Sequence, residues 1–119
     1  MTELIALLAP GGKGSWAEVA KLLSAGPWER VFLVTDAFGA EKFKADEKTQ
    51  LVLVDFRSGC AELHDAIRKK LSGKLKGLEV AVNLSSGSGN EHMALLAVLM
   101  KLGVGFRLVS MDERGLVEL

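Results

Sequence analysis

Five short apolar runs punctuate the chain at residues 3–9 (ELIALLA), 31–34, 51–54, 78–84 and 104–109, each about one strand long. The segments between them have helical spacing. Residues 15–25 put Trp16, Val19, Ala20 and Leu23 on one face, and residues 60–72 carry Leu63, Ile67 and Leu71 inward with Arg68, Lys69 and Lys70 outward. The polar stretch from Phe38 to Asp46 predicts a short helix, and Glu91 to Leu102 a long one. Strands that are apolar on both faces and alternate with helices have one economical solution, a parallel sheet covered on both sides. Asp112 to Gly115 reads as a hairpin turn into a last strand, Leu116 to Leu119. The expected fold is therefore an α/β, Rossmann-like open sheet, mainly parallel, of order 3-2-1-4-5 with a C-terminal hairpin strand and helices on both faces. It is read as a single domain over residues 1–119, with no internal repeat or linker.

Several function classes fall away on composition. No apolar run approaches the ~18 residues a membrane span requires, and the N-terminus lacks the basic flank and cleavage site of a signal peptide. The single Cys60 leaves no internal disulfide and fits a reducing, cytoplasmic setting. Fifteen basic and fifteen acidic residues cancel, which argues against a domain that coats duplex DNA through bulk charge. A small anion held by local amides and one or two cations remains compatible with that balance.

Open α/β sheets bind ligands beyond the carboxyl ends of their strands, where the strand order reverses. In the expected order that point lies between strands 1 and 4. The two most Gly/Ser-rich loops in the chain follow those two strands: Pro10 to Ser15, containing Gly11, Gly12, Lys13 and Gly14, and Ser85 to Asn90, containing Ser86, Gly87, Ser88 and Gly89. Both lead into helix N-termini, whose free amides and positive dipole end attract anions. Lys13 adds a mobile cation. Candidate ligand-binding residues are thus Gly11, Gly12, Gly14, Ser15, Ser85, Ser86, Gly87, Ser88, Gly89 and Asn90, with Lys13 and His92 as the candidate catalytic pair.

Plainer employment exists for several of these. Ser15-x-x-Glu18 and Ser88-x-x-Glu91 both fit the capping box. Gly87 and Gly89 suit backbone conformations that other residues avoid. Asn83, inside a strand, suits a bond to a neighbouring loop. His92, in the first turn of the fourth helix, is an acid–base group, a phosphate donor or a surface histidine. Cys60 and His64 lie four apart, but no further ligands accompany them, and no metal or cofactor is expected.

The first loop fits one nucleotide-binding fingerprint and departs from another. Gly12-Lys13-Gly14-Ser15-Trp16-Ala17 matches G-x-G-x-x-[GA] after a strand, and Asp36 ends the second strand about where a ribose-binding acid belongs. This supports an alternative, a regulatory domain binding NAD(P) through Gly12, Gly14 and Asp36. Trp16 is bulky for that turn. Walker A fails, because Leu7 stands where its first glycine belongs and Gly14 follows Lys13. The nucleophile elbow fails because Ser86 occupies the glycine position before Ser88.

The fourth helix is apolar around its circumference from Met93 to Met100 (MALLAVLM). A helix covering one sheet face should show a polar stripe. A twofold dimer packed partly through Glu91 to Leu102 would bury the second side; the alternative cover is the polar segment after strand 2.

The stretch LEVAVNLSSGSGNEHMALLAVLMKLGVGFRLV, residues 78–109, resembles the signature of the CRISPR-associated Rossmann fold (CARF) family. There a strand ending in Val-Asn-Leu/Ile meets a Thr/Ser-Gly-Gly-Thr-Lys type loop, a small-residue helix, a glycine and another strand. The element pattern is similar along the whole chain. Ser88-Gly89-Asn90 stands where many members have Gly-Thr-Lys, so the loop lysine is absent, and Lys13 on the opposite loop is its substitute in this reading. The resemblance implies a cytoplasmic homodimer that binds cyclic oligoadenylate at its twofold axis, over the carboxyl edges of both sheets, in type III CRISPR antiviral signalling. Members are usually fused to nuclease or helix-turn-helix output domains, for which 119 residues leave no space. A lone domain of this kind is a sensor for a separate effector protein, a separated regulatory module, or a metal-independent ring nuclease.

Overall fold

The computed structural model describes residues 2–10 and 15–119, with Ser15 described for its backbone only. The elements run β1 (Glu3–Leu8), α1 (Ser15–Ala25), β2 (Arg30–Thr35), α2 (Ala37–Lys42), β3 (Thr49–Leu53), α3 (Cys60–Leu71), β4 (Glu79–Asn83), α4 (Gly89–Leu102), β5 (Gly105–Asp112) and β6 (Gly115–Glu118). They form one six-stranded sheet of order β3-β2-β1-β4-β5-β6. All pairings are parallel except the closing β5–β6 hairpin. The expected α/β architecture and strand order both hold. Boundaries move by a residue or two, and α2 ends at Lys42 rather than running toward Asp46.

Alternation along each strand sorts the core into two layers. Ile5, Leu7, Phe32, Val34, Val80 and Val82 face α3 and α4, meeting Leu63, Ile67, Leu71, Leu95, Val98 and Leu99. Leu4, Ala6, Leu8, Val31, Leu33 and Ala81 point the other way, onto Val19, Leu22 and Leu23 of α1. Ala20, expected on the inward face of α1, is exposed; Leu22 takes the inward position instead. β1 lies at the centre and is buried from end to end. A strand enclosed on both faces and both edges needs the unbroken apolar run that residues 4–9 supply.

One charge sits inside this strand. Glu3 is fully buried at the amino end of β1. Its carboxylate accepts from the amides of Lys76 and Gly77 at 3.0 and 2.7 Å and from Arg30 Nη1 at 3.2 Å. Arg30 in turn donates to the Lys74 carbonyl at 2.9 Å and lies 4.9 Å from the centre of the Phe32 ring. The turn leading into β4 is thereby pinned to β1, which sets the β1–β4 register that the carboxyl rim inherits.

α4 is divided lengthwise. Ala94, Leu95, Val98 and Leu99 are buried, whereas Met93 and Met100 are 58% and 68% exposed, with Leu96 and Ala97 half-buried between them. Gly103, at φ +72°, ends the helix in a left-handed turn whose amide bonds back into the last turn. The segment after β2 does not cover the outer stripe: its Phe43 packs with the α1 layer, on the other side of the sheet. That alternative for covering α4 is set aside. No described helix is long and apolar enough to cross a membrane.

Glu3→Ala should lower the unfolding free energy by about 3 kcal/mol, because it leaves Arg30 and two amides without their buried acceptor. A urea titration would show this as a shifted midpoint at unchanged slope. Glu3→Gln, which keeps an acceptor oxygen, should lose less.

Candidate functional site

The carboxyl rim is assembled by side chains reaching between loops. Ser86, in the loop between β4 and α4, is only 1% exposed. Its hydroxyl accepts the Ala9 amide at 2.8 Å and lies 3.5 Å from the Ala9 carbonyl. The Trp16 indole N–H donates to that same carbonyl at 2.8 Å, and the Thr35 hydroxyl donates to the Leu8 carbonyl at 2.8 Å. The end of β1 is therefore tied at once to β2, to α1 and to the Ser85–Asn90 loop. Ala9, which leads into the first loop, thus meets Ser86 of the loop after β4, while Gly11 to Gly14 of the first loop lie outside the described residues.

Asn83, buried at the end of β4, holds the loop from its other side. Its amide nitrogen donates to the Val109 carbonyl at 2.9 Å and to Ser85 Oγ at 3.1 Å, while its side-chain oxygen accepts the Ser85 amide at 3.2 Å. It bonds a neighbouring loop, as its place in a strand predicts. His92 closes the loop from above, with Nε2 2.9 Å from the Ser86 carbonyl. A carbonyl only accepts, so Nε2 carries the proton and the ring's free nitrogen is Nδ1. Gly87 makes room for this: it adopts φ +100°, and a Cβ there would lie 3.3 Å from His92 Nε2. Gly89 has no such constraint and faces open space.

The capping expectation at Ser88 changes in detail. Ser88 is the N-cap of α4, but its side chain makes no cap bond. Its hydroxyl turns instead to the Glu91 carboxylate. A capping box would bond each side chain to the other residue's backbone amide; here the two side chains bond each other, so the expected box does not form and the first amides of α4 gain no side-chain acceptor from Ser88. Ser85, Gly87, Ser88, Gly89 and Asn90 are all exposed on the rim. Asn90 is further placed by Cys60, whose thiol lies 3.6 Å from the Asn90 carbonyl. Gly11, Gly12, Lys13, Gly14 and the side chain of Ser15 lie outside the described residues, so their part in the site rests on the sequence.

Among the described residues, hollows lie on either side of the end of β1. On the β5 side, a shallow one of about 220 Å³ is lined by Asn83, Ser85, Leu108, Ser110 and Leu119 among others. On the β2 side, one of about 420 Å³ is lined by Pro10, Asp36, Ala37, Phe38, Val54, Asp55, Phe56 and Arg57. Arg57 is bound back onto Asp55 at 3.1 and 3.3 Å. Its side-chain and backbone hydrogen bonds hold the Asp55 carboxyl below the usual carboxylate range. Sequence reading overlooked Phe38, Phe56 and Arg57; the only available signal was their position directly after β2 and β3. His64, considered with Cys60 for metal spacing, is buried with Nδ1 2.9 Å from Asp65 and Nε2 unpartnered. Among the described residues, no group of three or more His, Cys, Asp or Glu is close enough to hold a metal ion.

Ser86→Ala should cost about 1–3 kcal/mol, because it strands the buried Ala9 amide. Thermal and urea unfolding would measure it, and backbone NMR shifts should move at both Ala9 and Ser85. No protein-family model matches the chain, and no curated protein is detectably similar to it in sequence.

Proposed function

We propose that this chain is a CARF-like nucleotide sensor that binds a cyclic oligoadenylate as a homodimer, with the phosphodiester lying on the Ser85–Asn90 loop. The observation that carries the reading is the junction at Ala9 and Ser86. It brings the loop after β4 against the end of β1, at the point where strand order reverses. The exposed amides of Gly87 to Asn90 and the dipole of α4 suit an anion. Glu91 adds negative charge beside them, so a phosphate there requires a cation, which Lys13 or a residue of the second copy supplies. The resemblance of residues 78–109 to the CARF family supports cyclic oligoadenylate as the ligand class and type III CRISPR antiviral signalling as the setting.

Ser86 contributes by holding the loop, since its buried hydroxyl is already bonded. Ser88 and Asn90 are the side chains free to meet the ring. If the ring is cleaved, the 2′-hydroxyl loses its proton and attacks the adjacent 3′-phosphodiester, the P–O5′ bond breaks, and the next nucleotide leaves as a 5′-hydroxyl behind a 2′,3′-cyclic phosphate, without a metal. The chain must then keep the attacking and leaving oxygens in line and stabilise the phosphorane charge through Lys13 and the loop amides. His92 moves a proton through Nδ1, because Nε2 is committed to Ser86.

The second copy is placed on the outer stripe of α4. Met93, Leu96, Ala97 and Met100 form an uncharged strip, and Phe106 and Leu108 on the same face of β5 are half-buried. A strip of this kind can pack against itself across a twofold axis. In sedimentation velocity the chain should run as a dimer, and Met100→Glu should shift it to a folded monomer at micromolar concentration, with a melting temperature that no longer rises with protein concentration.

A second reading is favoured by one observation: Asp36 opens into the 420 Å³ hollow beside Pro10, where a dinucleotide's ribose would sit. One experiment separates the two. Labelled cyclic tetra- and hexa-adenylate should be retained, any turnover should be indifferent to EDTA, and NAD(H) should raise the melting temperature no more than AMP does. Neither retention nor turnover of either ring would refute the first reading. A rise with NAD(H) well beyond that with AMP, abolished by Asp36→Ala in a chain that retains neither ring, would establish the second.

A further inference from the structure

The hollow after β2 and β3 differs chemically from the Ser85–Asn90 loop. Its walls are carbon: Pro10, Ala37, Val54 and the rings of Phe38 and Phe56. Phe56 is half-buried and packs against the α3/α4 layer, so it is a fixed wall. Phe38 is 56% exposed although it is a large apolar ring. It is held in place by Trp16, whose ring centre lies 6.0 Å away, and by Lys42, whose ammonium lies 5.7 Å from its centre.

The polar lining is equally selective. Asp55 and Arg57 satisfy one another, so together they add no net charge. Asp36 uses Oδ1 to accept the Gly39 amide at 2.9 Å, and makes no ion pair among the described residues. The lining thus offers two aromatic rings and, among the described residues, one carboxylate oxygen of Asp36 without a bond, with the Lys42 ammonium beside Phe38 offsetting its charge. A flat ring with an amino group is accommodated by stacking and by a hydrogen bond to Asp36. The volume of about 420 Å³ falls in the range of small-ligand pockets.

Position completes the inference. Pro10, which lines this hollow, follows Ala9, the residue bonded to Ser86. The hollow and the Ser85–Asn90 loop are thus both joined to the end of β1, through Pro10 and Ala9 respectively. That is the division of labour needed to hold the two ends of one nucleotide.

Resting on the nucleotide reading above, we infer that the hollow bounded by Phe38, Phe56 and Asp36 is a purine-base subsite, taking an amino-bearing purine whose phosphate lies on the Ser85–Asn90 loop. Asp36 selects the amino group, and Phe38 supplies the stacking face.

The test is titration of the full chain with AMP, adenosine, purine riboside lacking the amino group, and ribose 5-phosphate, followed by amide NMR shifts and calorimetry. Adenosine should shift Ala37, Val54 and Phe56. Phe38→Ala, at an exposed position, should weaken AMP and adenosine by about tenfold or more and leave ribose 5-phosphate unchanged. Asp36→Asn, which can still cap α2, should bring adenosine down to the affinity of purine riboside. The inference is overturned if wild type binds neither adenosine nor AMP, or binds them as Phe38→Ala does. It is equally overturned if Asp36→Asn leaves the preference for the amino group intact. Adenosine bound normally with no measurable ribose 5-phosphate or ring binding would refute the phosphate-loop reading alone.

Discussion

A single buried hydroxyl holds the functional end of this molecule together. Parallel strands diverge into separate loops at their carboxyl ends, and nothing in sheet geometry makes two such loops touch. Here Ser86 reaches from the loop after β4 to the amide at the end of β1, and both groups are shielded from water. An amide left unpaired there would carry the full cost of desolvation, so the two loops cannot part cheaply. The neighbouring contacts share this logic: Thr35 on Leu8, Trp16 on Ala9 and His92 on Ser86 each satisfy a backbone group that the sheet ends leave open.

Around that junction the rim divides by chemistry. The Ser85–Asn90 loop presents amides and small polar side chains, while the hollow after β2 and β3 presents rings and one spare carboxylate oxygen. The two lie on opposite sides of the end of β1, which is flanked by β2 on one edge and β4 on the other. The opposite rim has a structural task. There Glu3 and Arg30 lock the turn before β4 onto β1, so the register that aligns the two carboxyl-side loops is set from the far end of the sheet.

Much of the fold was legible before any coordinates. Runs that are apolar on both faces could only be buried parallel strands, and the turn residues between them set the count. Legibility was poorer in the site. Ser85 to Asn90 was recognisable as a loop with more than a turn's worth of small residues, yet the sequence could not rank its serines. Ser86 points inward and serves the fold, whereas Ser88 faces outward, and both are serines in the same loop. Gly87 and Gly89 looked equivalent too, but only Gly87 has a positive φ and a histidine ring against it. Trp16, which looked too large for its turn, is what caps the Ala9 carbonyl. For Gly11 to Gly14, the sequence remains the sole source.

The sequence by itself determined the element types, their order and the parallel sheet, because hydrophobic periodicity and turn chemistry act over a few neighbouring residues. Only the tertiary structure decided which side chain of each loop faces inward. It also decided that α4 buries one half of its surface and exposes Met93 and Met100, and that Phe38, Phe56 and Asp36 share one hollow. Those outcomes depend on partners 20 to 80 residues away in the chain, such as Ala9 for Ser86 at a separation of 77. Local spacing carries no record of such distances; the strand order creates them.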